Sequence, residues 1–159
     1  MHLAQLNVAH MRAPVDSPEL AEFVALLEPV NALADSTPGF VWRLKESESD
    51  PTATVVHDYG DHLLINFSVW ESREALWNFV YRSPHLDALR RRREWFLRVA
   101  EPYMVMWWTP EGEIPSLAEG MRRLERLRAG GPGPEAFTFQ DFYDASEAAH
   151  LPAAAEARK

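Results

Sequence analysis

The sequence contains no cysteine among its 159 residues. Disulfides, thiolate metal sites, thiol nucleophiles and iron–sulfur clusters are therefore excluded. It also lacks an apolar run of about 18 residues, the length that a membrane-spanning helix needs. Residues 1–5 lack the basic and apolar regions of a signal peptide. We therefore expect a cytoplasmic protein that does not bind a membrane.

Basic residues are outnumbered, since 16 Lys and Arg stand against 24 Asp and Glu and give a formal net charge of −8. Nucleic-acid binding relies on basic side chains that neutralise phosphates, so we expect no nucleic-acid partner. The 47% hydrophobic residues suffice for one core. We expect a single domain over residues 1–144, followed at residues 145–159 by a flexible tail rich in alanine and glutamate.

Hydrophobic periodicity and turn residues predict alternating strands and helices. The strands are predicted over residues 1–10, 40–45, 62–70 and 103–109, and the helices over residues 18–36, 72–82, 84–99 and 117–130. Ser17 and Ser116 are expected to cap helices, and Pro29 is expected to kink or break the first one. The polar residues 46–61 predict a long hairpin connection, and Phe137 and Phe139 predict a fifth strand or an extended arm.

This order of elements predicts an α+β fold, a ferredoxin-like split β-α-β sheet with an appended C-terminal helix. The strands at 62–70 and 103–109 are apolar on both faces, whereas an antiparallel sheet with helices on one side normally exposes its other face to water. A second copy of the sheet would cover that face. We therefore expect a homodimer in which the two sheets pack into an α+β barrel.

Residues 68–85 read Ser-Val-Trp-Glu-Ser-Arg-Glu-Ala-Leu-Trp-Asn-Phe-Val-Tyr-Arg-Ser-Pro-His. This segment resembles the strand-to-helix signature of the antibiotic-biosynthesis-monooxygenase-like superfamily of dimeric α+β barrels. Together with residues 3–7, 38–44, 91–96, 107–110 and 131–137, it resembles one uncharacterised branch, the family called domain of unknown function 3291. The resemblance covers roughly residues 2–139 and supports the expected fold, although analogy of fold alone does not establish chemistry.

The resemblance implies a cofactor-free monooxygenase or isomerase that acts on a small hydrophobic or aromatic molecule. Two alternatives remain open, a small-molecule-binding module without activity and a dimer whose barrel is filled by its own side chains. A haem protein is the weakest alternative. In haem-degrading members of the superfamily a strand asparagine, a helix tryptophan and a helix histidine form the site. Here Asn7 matches the first, but Phe79 and Leu89 occupy the other two positions. His85, one helical turn before Leu89, could replace the histidine only if the haem were placed differently, so we expect no cofactor.

Strand alternation suggests which side chains would line a pocket. If the helices cover the Leu6 face of the first strand, Asn7 faces the barrel interior together with its odd-numbered neighbours. The candidate substrate-binding residues are Asn7, Trp42, Asn66, Trp70 and Trp107. An apolar barrel with a few amides is how small-molecule pockets are built. The alternatives are that Asn7 and Asn66 bond to one another or to buried backbone and only fix the register, and that the tryptophans only pack in the core and the dimer interface.

His85 is the candidate catalytic residue, because a histidine in the first turn of a helix favours the neutral imidazole that a general base requires. The alternative is a histidine with no role in catalysis at a helix start. In the run from Arg90 to Arg93, Arg93 would lie on the inward face, toward a carboxylate of substrate or protein. The alternative that we prefer is ordinary salt bridges of the run with Glu94, Glu101 and other acidic residues. Residues 57–62 hold two histidines and two aspartates, but a polar turn explains them better than a metal site, and we expect no metal.

Overall fold

The computed structural model describes residues 1–14, 16–45, 54–55, 63–82 and 85–148. Its strands are β1 (His2–His10), β2 (Phe40–Arg43), β3 (Thr54–Val55), β4 (Leu63–Trp70) and β5 (Met104–Thr109). Its helices are α1 (Ala21–Ser36), α2 (Arg73–Tyr81), α3 (His85–Arg90), α4 (Arg92–Trp95), α5 (Leu117–Gly130) and α6 (Ala145–Ala148). A short 3-10 turn, Pro18–Leu20, precedes α1.

The sheet confirms the predicted α+β fold. Its strand order is β2-β4-β1-β5, with antiparallel neighbours, and β3 pairs with β4. Because α1 connects β1 to β2 and α2 to α4 connect β4 to β5, the chain makes the two interleaved β-α-β crossovers of a ferredoxin-like fold. In the register of the central pair, Asn7 lies opposite Asn66.

The two faces of the sheet are covered by different helices. The odd-numbered side chains of β1 face α1 to α4, because Leu3 packs with Ala34 and Leu76 while Ala9 packs with Phe23 and Trp95. The sequence analysis assumed that these helices cover the Leu6 face of β1. They cover the Asn7 face instead.

Helix α5 lies on the Leu6 face. A Cβ atom added at Gly120 would lie 3.0 Å from Leu6 Cδ1 and 3.3 Å from Trp107 Cη2, so the helix backbone approaches the sheet closely there. Leu124 and Leu127 of the same helix join the buried cluster of this face. The apolar face that suggested a second copy is thus covered in part by the chain's own helix, and the homodimer stays a prediction on weaker grounds.

Of the serines Ser17, Ser72 and Ser116, which each precede a helix, Ser72 and Ser116 cap that helix through the side-chain hydroxyl. Ser72 Oγ accepts from the backbone N–H of Ala75, and Ser116 Oγ accepts from that of Glu119, each at 3.1 Å. Ser17 was predicted to do the same, but its hydroxyl makes no capping bond. Its carbonyl oxygen accepts from the N–H of Leu20 and closes the 3-10 turn. Pro29 is exposed inside α1, which continues through it and is not broken.

The helix predicted over residues 84–99 is wrong in its length. In the described part it consists of α3 and α4, separated at Arg91, and it ends at Trp95. Beyond that point the chain runs alongside the end of β1, where Leu97 N–H donates to His10 O and Arg12 N–H donates to Trp95 O. Pairing with β1 satisfies these backbone groups as well as a helix would, so tertiary context determines the helix end.

Residues 136–143, which we call the C-terminal arm, follow α5 and contain an isolated bridge at Phe137 and a turn at residues 140–141. Phe137 pairs with Met106 through two backbone hydrogen bonds, of 2.8 and 2.9 Å, at the outer edge of β5. The arm's aromatic side chains, Phe137, Phe139, Phe142 and Tyr143, pack against the cluster that contains Trp70 and Phe79. Neither predicted structure describes the segment fully, because Phe137 forms an isolated bridge rather than a strand and a turn at residues 140–141 interrupts an extended course.

Candidate functional site

A cavity of about 140 Å³ lies between the sheet and helices α1 to α4. Asn7, Ala9, Leu64, Asn66, Ser68 and Trp70 form its floor on the two central strands, and α1 forms its longest wall. The lining residues outside the floor are Phe23, Leu26, Leu27, Val30, Asn31, Ala34, Phe40, Arg43, Phe79, Leu89, Arg92, Trp95 and Phe96. The lining is mostly apolar, with a few polar groups set into it, as in most small-molecule sites.

A hydrogen-bonded row of polar side chains crosses the floor. Gln5 Nε2 donates to Asn66 Oδ1 at 2.7 Å and to Ser68 Oγ at 2.8 Å. Trp70 Nε1 also donates to Ser68 Oγ, at 2.8 Å. The partner of Asn66 is therefore Gln5 rather than Asn7, so the alternative that the two asparagines bond to one another is wrong.

The asparagine pair leaves amide groups open toward the cavity. Within the described part of the chain, the Asn7 side chain makes no hydrogen bond, and Asn66 uses only its Oδ1. Asn66 is exposed although it lies in the middle of a central strand. The helices therefore leave the floor uncovered at this point, and the cavity is reachable from solvent.

Two arginines line the cavity, and their charges are balanced differently. Arg43, which is buried, donates through Nε and Nη2 to the two carboxylate oxygens of Asp35 on α1, at 2.8 and 3.3 Å. Arg92 lies with its guanidinium carbon 4.2 Å from the ring centre of Tyr103 and 5.5 Å from that of Phe96. Among the described residues no carboxylate pairs with Arg92. Arg92 is therefore a lining residue whose guanidinium has no acidic partner there and stacks on Tyr103, which lies outside the lining.

A bulge in β2 separates residues that strict alternation would place together. Phe40 lies opposite Trp70, but Trp42 lies opposite Val69, because the register shifts between them. Phe40 consequently lines the cavity, whereas Trp42 packs on the other face, with its ring centre 5.2 Å from that of Phe67. Trp107 is also on that face, fully buried against α5.

Three of the five candidate substrate-binding residues, Asn7, Asn66 and Trp70, therefore come together in the cavity, and Trp42 and Trp107 do not. The backbone of His85 begins α3, but its side chain lies outside the described residues. The whole of residues 57–62, with its histidines and aspartates, lies outside them too.

The inward arginine of the basic run is Arg92, not Arg93 as predicted. The prediction assumed one continuous helix, but the break at Arg91 shifts the helical phase. Arg93 is exposed. Arg91 pairs with Glu22 and with Glu94 on the surface, and its hydrogen bond holds the pKa of the Glu94 carboxyl below its ordinary value.

Sequence reasoning placed Gln5 on the same face as Asn7, but it missed Asn31, Arg43 and Arg92 as lining residues of the site. A signal existed for Arg43, a charge that directly follows three apolar residues within the predicted strand. The sequence carried no signal for Arg92. Four consecutive arginines cannot be assigned to faces of a helix unless the break at Arg91 is known.

The haem alternative can be tested against the lining. Asn7, Phe79 and Leu89, the three positions matched to the haem site, do lie together around the cavity. However, no described lining residue is a histidine, cysteine, tyrosine or methionine, the side chains that ligate haem iron. The described lining residues therefore do not fit haem. Among the residues that the structure describes there is also no group of three His, Cys, Asp or Glu side chains placed to hold a metal ion.

Comparisons with known proteins agree with the family suggested by the sequence. A family model described as Domain of unknown function (DUF3291) matches residues 2–154. Two solved structures are similar. Rv0793 from Mycobacterium tuberculosis has 20% identity over 72% of this chain and 100% of that one, with a TM-score of 0.48. A monooxygenase from the gene ActVA-Orf6 of Streptomyces coelicolor, in complex with the ligand nanaomycin D, has 19% identity over 72% and 92%, with a TM-score of 0.41.

A search of the curated proteins gives no match. Over the described ranges, no helix has the length and apolar character needed to cross a membrane. Location in the cytoplasm stays a prediction.

Proposed function

We propose that this chain, which belongs to the family described as Domain of unknown function (DUF3291), binds a small and largely apolar molecule. The observation that carries the proposal is the cavity over Asn7 and Asn66, which is lined by apolar side chains and is open to solvent at the asparagine pair. Water hydrates an apolar cavity poorly. The free energy therefore falls when an apolar molecule fills the cavity.

The volume limits the ligand to about one ring. The cavity measures about 140 Å³, whereas sites for drug-sized ligands are roughly 300–1,000 Å³. An apolar protein cavity of about 150 Å³ is known to bind benzene. A single aromatic or alicyclic ring with one small substituent therefore matches the space.

The polar row on the floor supports a ligand with one polar end. Because Gln5 already satisfies Asn66 Oδ1, the Nδ2 group of Asn66 remains a donor for a ligand. Ser68 Oγ accepts from both Gln5 and Trp70, which fixes these side chains and keeps the floor rigid. Side chains that are already fixed lose less conformational entropy when a ligand binds, so the rigid floor favours binding.

Binding is a better supported function than catalysis. The titratable side chains in the described lining are Arg43 and Arg92, and an arginine cannot act as a general base because it keeps its proton. A monooxygenase-like or isomerase reaction would need a proton acceptor or a substrate that arrives already ionised. His85 remains the candidate acceptor from the sequence, and its side chain lies outside the described residues.

A matched pair of substitutions on α1 tests the proposal. Val30 lines the cavity, whereas Val24 is exposed on the same helix. Val30→Trp should fill the cavity and abolish binding of toluene and benzyl alcohol, and Val24→Trp should leave both unchanged. Binding is measured by two-dimensional amide NMR, in which residues of the floor such as Asn7 and Asn66 should shift. Equal binding by the two variants, or no binding of either probe to the unmodified protein, would contradict the proposal.

We also keep the homodimer as a proposal, supported by half-buried apolar side chains on the α5 face of the sheet and on α5 itself, among them Trp42, Leu44 and Met121. Analytical ultracentrifugation should give twice the chain mass of 18.2 kDa. Trp42→Glu should shift the distribution toward the single chain. A single-chain mass over the whole concentration range would contradict the dimer.

A further inference from the structure

We propose that the ligand carries one negative charge, as a small aromatic monocarboxylate does, and that its carboxylate pairs with Arg92. This inference rests on the proposed function, because it assigns a chemical class to the molecule in the same cavity. It goes beyond size and apolarity, which a neutral ring would satisfy equally well.

The charge balance of the lining is the first step. The described lining residues include two cations, Arg43 and Arg92, and no aspartate or glutamate. Asp35, outside the lining, takes two hydrogen bonds from Arg43 and neutralises it. Arg92 has no such counterpart among the described residues. A ligand with a single negative charge would therefore make the filled cavity neutral.

The position of Arg92 is the second step. Its guanidinium lies over the rings of Tyr103 and Phe96, at 4.2 and 5.5 Å from their centres. Stacking and cation–π attraction hold the group in place through its flat face. The N–H donors of a guanidinium lie in its plane, so they remain available to the two oxygens of a carboxylate, the geometry that arginine matches best.

The hydrogen-bonding balance of the floor is the third step. The open groups of the asparagine pair include the Nδ2 donors of both Asn7 and Asn66. With Arg92 they give the cavity more unsatisfied donors than acceptors. A carboxylate offers only acceptors, whereas an ammonium ion or an amine would meet donors and a cation. The lining thus favours an anion through the charge of Arg92 and through the amide donors of the asparagine pair.

The test compares benzoate, benzyl alcohol and toluene, three probes that share one ring, on four forms of the protein. The unmodified protein should bind benzoate about ten- to hundredfold more tightly than benzyl alcohol, since a hydrogen bond to a charged partner contributes roughly that much. Arg92→Met keeps an unbranched side chain against Tyr103 and Phe96 and should abolish the preference. Arg92→Lys should restore part of it. The matched control Arg93→Met removes an exposed arginine of the same helix and should change nothing.

The outcomes separate this inference from the proposed function. If benzyl alcohol and toluene bind in a way that Val30→Trp abolishes, but benzoate shows no preference or keeps it in Arg92→Met, the cavity is a binding site and the anion assignment is wrong. If no probe binds, both proposals fail. A loss of benzoate preference in Arg93→Met equal to that in Arg92→Met would show a general surface charge effect and would also overturn the assignment.

Discussion

Gly39 should tolerate no side chain, and the structure separates two reasons for this. The residue joins α1 to β2 with a φ of +89°, a conformation that disfavours any residue with a Cβ atom. A Cβ atom added there would also lie 2.5 Å from the Cβ atom of Ala75 on α2. Gly112 has almost the same φ, +86°, but nothing lies within 4 Å of its added Cβ atom. The two glycines therefore form a matched pair.

The expected free energies follow from these two terms. A left-handed conformation costs a residue with a side chain about 1–2 kcal/mol, so Gly112→Ala should destabilise the protein by that amount. Gly39→Ala carries the same cost, and overpacking adds about 1–3 kcal/mol. The free energy of unfolding should fall by about 2–5 kcal/mol in Gly39→Ala, and the excess over Gly112→Ala measures the contact with Ala75.

Urea unfolding followed by tryptophan fluorescence provides the assay, with midpoints compared at equal slope. The double variant Gly39→Ala with Ala75→Gly removes the opposing Cβ atom. Ala75→Gly alone costs about 1 kcal/mol in a helix, but it should recover the overpacking part when combined with Gly39→Ala. The reasoning is refuted if Gly39→Ala is no more destabilising than Gly112→Ala, or if the two changes in the double variant simply add.

Three further outcomes follow from described contacts. Arg91→Gln should raise the pKa of Glu94 toward its ordinary value of 4.5, because the hydrogen bond that lowers this pKa is lost; carboxyl NMR measures the change. Because the pKa is lowered in the folded chain, the pair stabilises the fold at a pH above the ordinary pKa and loses this effect as the pH falls through the lowered pKa. An unchanged titration of Glu94 in Arg91→Gln would contradict the pairing. Phe137→Ala should cost about 3–5 kcal/mol in urea unfolding, since a fully buried ring is removed, and the half-buried Phe142→Ala should cost less; equal losses would count against the burial argument. Ser116→Ala should cost about 1 kcal/mol through the lost cap of α5, and no change in the unfolding midpoint would mean that water replaces the hydroxyl.

Much of the fold was predictable because its signals are local. The alternation of β1, the apolar run of β4 and the serine of α5 each depend on residues close in sequence, and all three elements form as predicted. The end of α4 was not predictable in this way. No proline or glycine follows Trp95 until Pro102, and the helix ends early because the next residues pair with β1.

The site was predictable only in part, for a related reason. Asn7, Asn66 and Trp70 share a face because the central strands alternate regularly. Trp42 does not share it, since one extra residue in β2 reverses every side chain that follows. The sequence carries no mark of that bulge. The same limitation applies to Arg92, whose inward direction depends on a helix break at Arg91 that only the folded chain reveals.

The pairing of the C-terminal arm with β5 bears on how the protein avoids aggregation. β5 is an edge strand, and the open N–H and C=O groups of an edge are a template for pairing with another molecule. Phe137 occupies the groups of Met106 at this edge with the chain's own backbone. Loss of the arm would therefore expose both an unpaired strand and the apolar cluster beneath it, and material truncated before residue 136 should form intermolecular β-sheet at concentrations where the full chain stays dispersed.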